Sequence, residues 1–407
     1  MRGELELSGG RRVLVDDGAL DPFRAELDEL GPAEPVRVAF AASRLVMRPE
    51  YAALGRTPDE PGTSREIAEH IDRAATSALR RALDAHGFGI AEAMDTAQRF
   101  AIGWEAARVL IEDTGALGLK HGFVAGAACD HLERVRDAGE LIEGVVHQAR
   151  VIQAAGGGVV LLPQVWLCEQ GAGADEFVEV YAAIIDALEG PLILHWLGEA
   201  FHAGLAGYFP GDSFERILAH DPSKVVGVKL SLLDADFEER TRRALLEREQ
   251  VVLTGDDHNF AGLILGRPGG EARERRAGPW RFSLGDHSHA LLGVLDGIGP
   301  PAGLALRLLA HGRRERYLEL MEPCEALGRL LFAAPTQHYK AGLAFLSWLD
   351  GRQQTPELAA GEERCRSREA LEATLEAACR ARVFTQAEVV LERAAAWLAG
   401  NAGPRAT

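Results

Sequence analysis

Cysteine is scarce in this sequence. Five are present, Cys129, Cys168, Cys324, Cys365 and Cys379, widely spaced and with no CxxC pair. That pattern argues against a disulfide framework or a structural zinc site, and for a reducing compartment. Positive charge is also short, with 44 Lys and Arg against 61 Asp and Glu, a formal net charge of −17. So acidic a chain lacks the basic footprint of a nucleic-acid binder. It lacks the basic clusters of an anionic-membrane binder too. No run of about 18 apolar residues occurs, so no membrane-spanning helix is expected. The opening MRGELELSGGRRVLVDD has no apolar stretch of the secretory kind. The expectation is a soluble, cytoplasmic protein that binds neither nucleic acid nor membrane.

What is present is apolar residue in a repeating order. Hydrophobic residues make up 47% of the 407, enough for a sizeable core. The first 35 residues alternate weakly and read as an N-terminal extension, a hairpin. From Val36 short apolar runs alternate with helical stretches. Strands are expected at 36–42, 89–94, 122–128, 158–164, 191–196, 225–231, 251–255 and 280–284. Helical patterns such as IDRAATSALRRALDAHG and ADEFVEVYAAIIDALEG lie between them and end in Gly. Eight strands alternating with helices predict an α/β fold, a (β/α)8 TIM barrel over residues 36–295. The rival is an open doubly wound sheet, but no glycine-rich phosphate loop follows the first strand. Residues 296–407 read as a C-terminal helical region. The charged insertion GRPGGEARERRAGP at 266–279 is a solvated loop or an active-site lid.

The chemistry concentrates on three strands. In VVGVKLS, alternation puts Val226, Val228 and Leu230 on one face and Val225, Gly227, Lys229 and Ser231 on the other. A lysine pointing into a barrel loses hydration, so its pKa falls and its neutral amine becomes a nucleophile for carbonyls. A lysine snorkelling to solvent is the bland alternative. In PLILHW, His195 shares a face with Ile193 and is a candidate proton relay beside Lys229. TGDDH places Asp256 and Asp257 at a strand's C-terminal end, the active face of such barrels, where either acid could also cap the next helix. GDHSH offers His287 and His289, read as following the eighth strand, to bind substrate or cap a helix. With Glu92, Asp130, His131, His258 and Asp286 these form a pool of metal ligands. A metal-dependent barrel aldolase, isomerase or hydrolase therefore stays open as an alternative. A barrel that binds carbonyl compounds without catalysis is a third.

PLILHWLG, VVGVKLS and LTGDD, in that order and spacing, resemble strands of the dihydrodipicolinate synthase and N-acetylneuraminate lyase superfamily. There, "PVILYNVP", "IVGIKES" and "GDD" occur in sequence. AAGGGVVLLPQVW, HGFVAGAACD and GIAEAMDTAQRF are similar to the family's fourth, third and second strands, and the likeness runs from 36 to about 350. The whole set resembles a dihydrodipicolinate synthase-like branch. The resemblance implies a Schiff-base aldolase, a carbon–carbon lyase needing no cofactor because the covalent imine at Lys229 is its electron sink. It puts His195 where the family has its catalytic tyrosine. It aligns Asp95 and Thr96 with the threonines that hold a 2-oxo acid carboxylate, and Gln164 lies at the end of the fourth strand. A carboxylate at Asp95 would repel a substrate carboxylate by about 4 kcal/mol at 4 Å and an effective dielectric near 20. A small, sugar-derived carbonyl compound is therefore expected rather than pyruvate, bound through Asp95, Thr96, Gln164, Asp256, Asp257, His287 and His289. A homo-oligomer and no resident metal are expected.

Overall fold

The computed structural model describes residues 1–269, 273–401 and 403–404. Eight parallel strands close into a barrel: β1 Ala39–Ala42, β2 Gly89–Glu92, β3 Phe123–Ala127, β4 Gly158–Leu161, β5 Leu192–Leu197, β6 Val225–Ser231, β7 Val251–Thr254 and β8 His289–Leu292. β8 closes the ring by pairing with both β1 and β7. Helices cover the outside, so most strand residues are buried on both faces. That is why these strands read as continuous apolar runs rather than as alternating patterns. The interior is filled by Phe40, Val124, Val160, Ile193, Val226, Leu253 and Leu291.

Seven strands fall where the sequence places them. The eighth does not. WRFSL does form a strand, Trp280–Leu284, but it pairs antiparallel with Arg273–Ala277 in a hairpin outside the barrel. Its burial alternates, with Trp280, Phe282 and Leu284 buried and Arg281 exposed, the pattern of a strand with one buried face. The true eighth strand, HALL, is buried at all four residues. The hairpin plugs the N-terminal end of the barrel. Trp280 packs edge-on to Phe40 with ring centroids 5.1 Å apart, and its Nε1–H donates to the His121 carbonyl just before β3. Arg275 donates to the carbonyls of Val226 and Glu249 at the entries of β6 and β7. The described part of the 266–279 insertion thus closes the floor and is not a lid over the mouth; residues 270–272 of that expectation lie outside the described residues.

β6 carries a second departure. Its pairing with β5 shifts register between Leu192 and Ile193. Val226 consequently points inward and Val225 outward, while Lys229 and Ser231 keep the inward face. On the β7 side, a Cβ on Gly227 would lie 1.8 Å from the Val251 carbonyl oxygen. Only glycine fits there.

The expected hairpin at the N-terminus is present, Arg2–Glu6 against Arg12–Asp16. It docks on the C-terminal helices: the Ser8 backbone N–H and hydroxyl both donate to Glu372. Five longer helices follow β8: Leu295–Ala310, Arg314–Leu331, Tyr339–Leu349, Arg368–Arg380 and Ala387–Leu398. The third begins at the C-terminal mouth of the barrel, where the Tyr339 hydroxyl meets Thr96 Oγ1. No helix among the described residues is long and apolar enough to cross a membrane.

Candidate active site

Lys229 sits on β6 directly opposite His195 on β5. Both line a small cavity at the C-terminal mouth, with Asp95, Thr96, Ser231, Asp257 and Tyr339 as its other polar groups. Leu197, Phe201 and Phe332 close it on the apolar side. The enclosed space is about 30 Å³, room for about a single water. Larger clefts of about 570 Å³ lie between outer helices, one beside Val146 and one beside Trp104. They bring no comparable set of groups together.

The Lys229 side chain keeps some surface, but that surface faces the cavity and not open solvent. Its path depends on Gly255, where a Cβ would lie 2.9 Å from Lys229 Cε and 2.2 Å from Ser231 Oγ. Among the described residues, no hydrogen bond or ion pair ties down its Nζ. Desolvation pulls the amine down to about 8, against the pull of Asp257 and Asp95 in the other direction. A substantial neutral fraction therefore exists near neutral pH.

Asp257 is buried, and its Oδ1 accepts from the Val294 N–H at 2.9 Å. Burial raises its carboxyl to about 7, although the Val294 bond and Lys229 oppose the rise. His195 is buried as well. Its Nε2 is 3.4 Å from Ser231 Oγ, and its Nδ1 has no partner. Burial first, and Lys229 second, hold its pKa well below 6.5. The ring is a neutral imidazole. Tyr339 is pinned by a 2.6 Å hydrogen bond between its hydroxyl and Thr96 Oγ1, and its ring stacks on Phe332 at 4.1 Å.

Asp95 is half exposed and does not stand alone. Lys340 Nζ donates to its Oδ2 at 3.0 Å and approaches Glu362 Oε1 at 3.2 Å. Burial disfavours the Lys340 charge, but the two carboxylates outweigh it and hold the ammonium above its ordinary pKa. The full repulsion expected for an isolated Asp95 is thereby reduced.

Four residues expected at the site lie elsewhere. Asp256 caps the turn into helix Phe260–Leu265, accepting from the backbone of His258 and Asn259 and from Asn259 Nδ2. Gln164 is turned back on its own loop and donates to the Leu162 carbonyl at 2.6 Å. His287 and His289 are at the opposite end of the barrel. His289 Nδ1 accepts from the Val38 N–H, so its Nε2 is the donor to Ser283 O in the floor hairpin, and His287 Nε2 meets the same carbonyl. Burial holds both neutral, His287 down at about 3. Misplacing the eighth strand put these histidines after it; they precede and begin it. The rest of the supposed ligand pool is dispersed: His131 Nδ1 accepts from Gln148 Nε2 at 3.0 Å, His258 Nε2 lies 3.4 Å from the Phe332 carbonyl, and the acids are held in ion pairs. Glu92 is bound by buried Arg80 at 2.9 Å, Asp130 by Arg99 at 2.8 Å and Asp286 by Arg242 at 2.8 Å. Among the described residues, no group of three or more His, Cys, Asp or Glu could hold a metal ion.

Tyr339, Lys340, Phe332 and Phe201 were not legible as site residues. One signal existed: YKAGLAFLSWL is buried throughout, and its only charged residue is Lys340. A lysine in so apolar a helix needs a partner.

The closed eight-stranded parallel barrel, ringed by helices and followed by a helical region, is a (β/α)8 TIM-barrel fold. Solved structures of that class align over most of the chain. Dihydrodipicolinate synthase from Oceanobacillus iheyensis matches with a TM-score of 0.56 at 15% identity, covering 84% of this chain and 96% of its own. YagE, a prophage protein of the dihydrodipicolinic acid synthase family from E. coli K12 solved in complex with pyruvate, gives 0.58 at 13%, covering 84% and 96%. Sialic acid aldolase from Ruminococcus gnavus gives 0.56 at 15%, covering 86% and 98%. At such identities the likeness is one of fold. The chain itself belongs to the family described as "Protein of unknown function (DUF993)", which matches residues 21–402. No curated protein sequence matches it.

Proposed function

We propose that this protein is a Schiff-base aldolase or lyase that forms an imine between Lys229 and a small hydroxylated carbonyl compound. The observation that carries the reading is the Lys229 amine itself, desolvated, without an ion pair and lowered to about 8 in an enclosed cavity. Such an amine attacks a carbonyl carbon, and the protonated imine then accepts the electron pair of a neighbouring carbon–carbon bond. The position of the lysine on the sixth strand of a barrel of this fold supports the reading.

The lining favours hydroxyls over carboxylates on the substrate. Asp95 and Asp257 can accept from hydroxyls, while Thr96 and Ser231 can donate or accept. Among the described residues no arginine lines the cavity, and Lys340 nearby is already shared by Asp95 and Glu362. Pyruvate, the ligand in YagE, would find no free cation here except the lysine that must react with it. Because Lys340 offsets part of the Asp95 charge, we expect pyruvate to be disfavoured by a smaller factor than an isolated carboxylate would impose.

The test is a panel of carbonyl compounds, including glyceraldehyde, dihydroxyacetone, aldoses and pyruvate, each incubated with the protein and borohydride and read by intact mass. Hydroxylated compounds should add mass faster than pyruvate. A faster pyruvate adduct would overturn the substrate class and leave the imine standing.

A further inference from the structure

We propose that Asp257 is the acid that releases the carbonyl oxygen as water when Lys229 condenses with its substrate, and the base in the reverse step. This rests on the imine reading above. The geometry begins at the loop after β7. The Gly255 N–H donates to the Leu230 carbonyl at 2.7 Å, fastening that loop to β6 beside the lysine. Lys229 runs directly over Gly255, and Asp257 follows two residues later on the same cavity wall. One carboxyl oxygen, Oδ1, is held by the Val294 N–H. The other has no hydrogen-bond partner among the described residues, which leaves it free to serve the reacting atoms.

The remaining groups around the pair are committed or lack a proton to give. His195 is neutral, and its Nε2 approaches Ser231. Asp95 is engaged by Lys340. Asp256 is turned into its helix cap. Tyr339 is bonded to Thr96, and its phenol is held well above 10, first by burial and then by Asp95. Among the described groups lining the cavity, Asp257 is the acid beside Lys229 whose carboxyl burial raises, to about 7, against an amine lowered to about 8.

The step balances. The neutral amine forms the C–N bond and the carbonyl π pair moves to oxygen. One proton then passes from nitrogen to that oxygen, giving a neutral carbinolamine. The nitrogen lone pair next expels the hydroxyl, which takes the Asp257 proton and leaves as water. The products are an iminium cation and the Asp257 carboxylate, so no net charge is created in the cavity. The carboxylate then stabilises the iminium beside it.

Dihydroxyacetone serves as the probe, with cyanoborohydride in excess and adducts mapped to the Lys229 peptide. The wild type should label with a bell-shaped pH profile belonging to the coupled pair, falling on the alkaline side as the acid loses its proton. Asp257→Asn keeps the Val294 bond and should slow labelling at least a hundredfold. Its alkaline limb should vanish, leaving a rate that only rises with pH. Asp257→Ala should be slow and partly restored by millimolar formate, which a merely structural role would not allow. Wild-type labelling of Lys229 with no alkaline limb, or an Asp257→Asn variant as fast as wild type, would overturn this proposal and spare the imine. No wild-type adduct at Lys229 would overturn both.

Discussion

A desolvated lysine and a neutral histidine face each other across two strands, and their protonation states assign different roles. Lys229 can be the nucleophile because its amine is partly neutral near pH 8. His195 cannot supply a proton from an imidazolium, because burial keeps it uncharged far below its ordinary range. We expect His195→Phe to leave borohydride labelling of Lys229 measurable while slowing carbon–carbon bond cleavage at least tenfold. Single-turnover kinetics on a substrate from the carbonyl panel would separate the two steps. Equal loss of both would mean that the ring positions Lys229 itself. At this scale the sequence was informative wherever alternation along a strand decides direction, as for Lys229, Ser231 and His195. It left Asp256 and Asp257 undivided between capping and binding, because neighbouring residues in a loop have no fixed faces. Asp256 is turned into the helix cap by His258 and Asn259, and Asp257 enters the cavity with its Oδ1 held by the Val294 N–H.

Among the elements, the helix after β6, Ala235–Leu245, carries a second buried acid that the proposed chemistry does not use. Glu238 accepts from the hydroxyls of Ser288 and Thr254, and burial raises its carboxyl to about 8 against their stabilisation of the charge. Its folded pKa lies above its unfolded value near 4.5. The stability this contributes is therefore complete below pH 4.5 and is lost as pH rises toward 8, on the order of 5 kcal/mol across that window. Glu238→Gln should flatten this part of the profile and melt higher than the wild type at pH 8, as thermal unfolding from pH 5 to pH 8 would show. A parallel decline in both proteins would contradict the assignment. The elements also show where period fails as a guide. WRFSL, expected as the eighth barrel strand, is a strand, but its alternating burial belongs to a hairpin outside the barrel. A barrel strand of this architecture is buried on both faces, and HALL, short and led by histidines, fits that requirement better.

On the scale of the whole molecule, the barrel was legible from the rhythm of apolar runs, whereas the closure of its mouth was not. Tyr339 meets Thr96 across 243 residues of sequence, and Lys340 meets Asp95 across 245. No local pattern encodes such pairings; they arise because the C-terminal helices return over the C-terminal ends of the strands. This return sets the charge of the mouth. Lys340→Met should leave Asp95 without its ion-pair partner and lower labelling by pyruvate more than labelling by dihydroxyacetone. The ratio of the two rates is the readout, since a loss of folding would lower both alike. An unchanged ratio would show that Asp95 does not sense the substrate's charge. The account as a whole depends on one lysine. Its most direct test is reductive trapping with dihydroxyacetone followed by peptide mapping of the wild type and of Lys229→Ala. The account predicts a single stable adduct on the peptide that contains Lys229, absent from the variant. An adduct on another lysine, or the same adduct in Lys229→Ala, would contradict it.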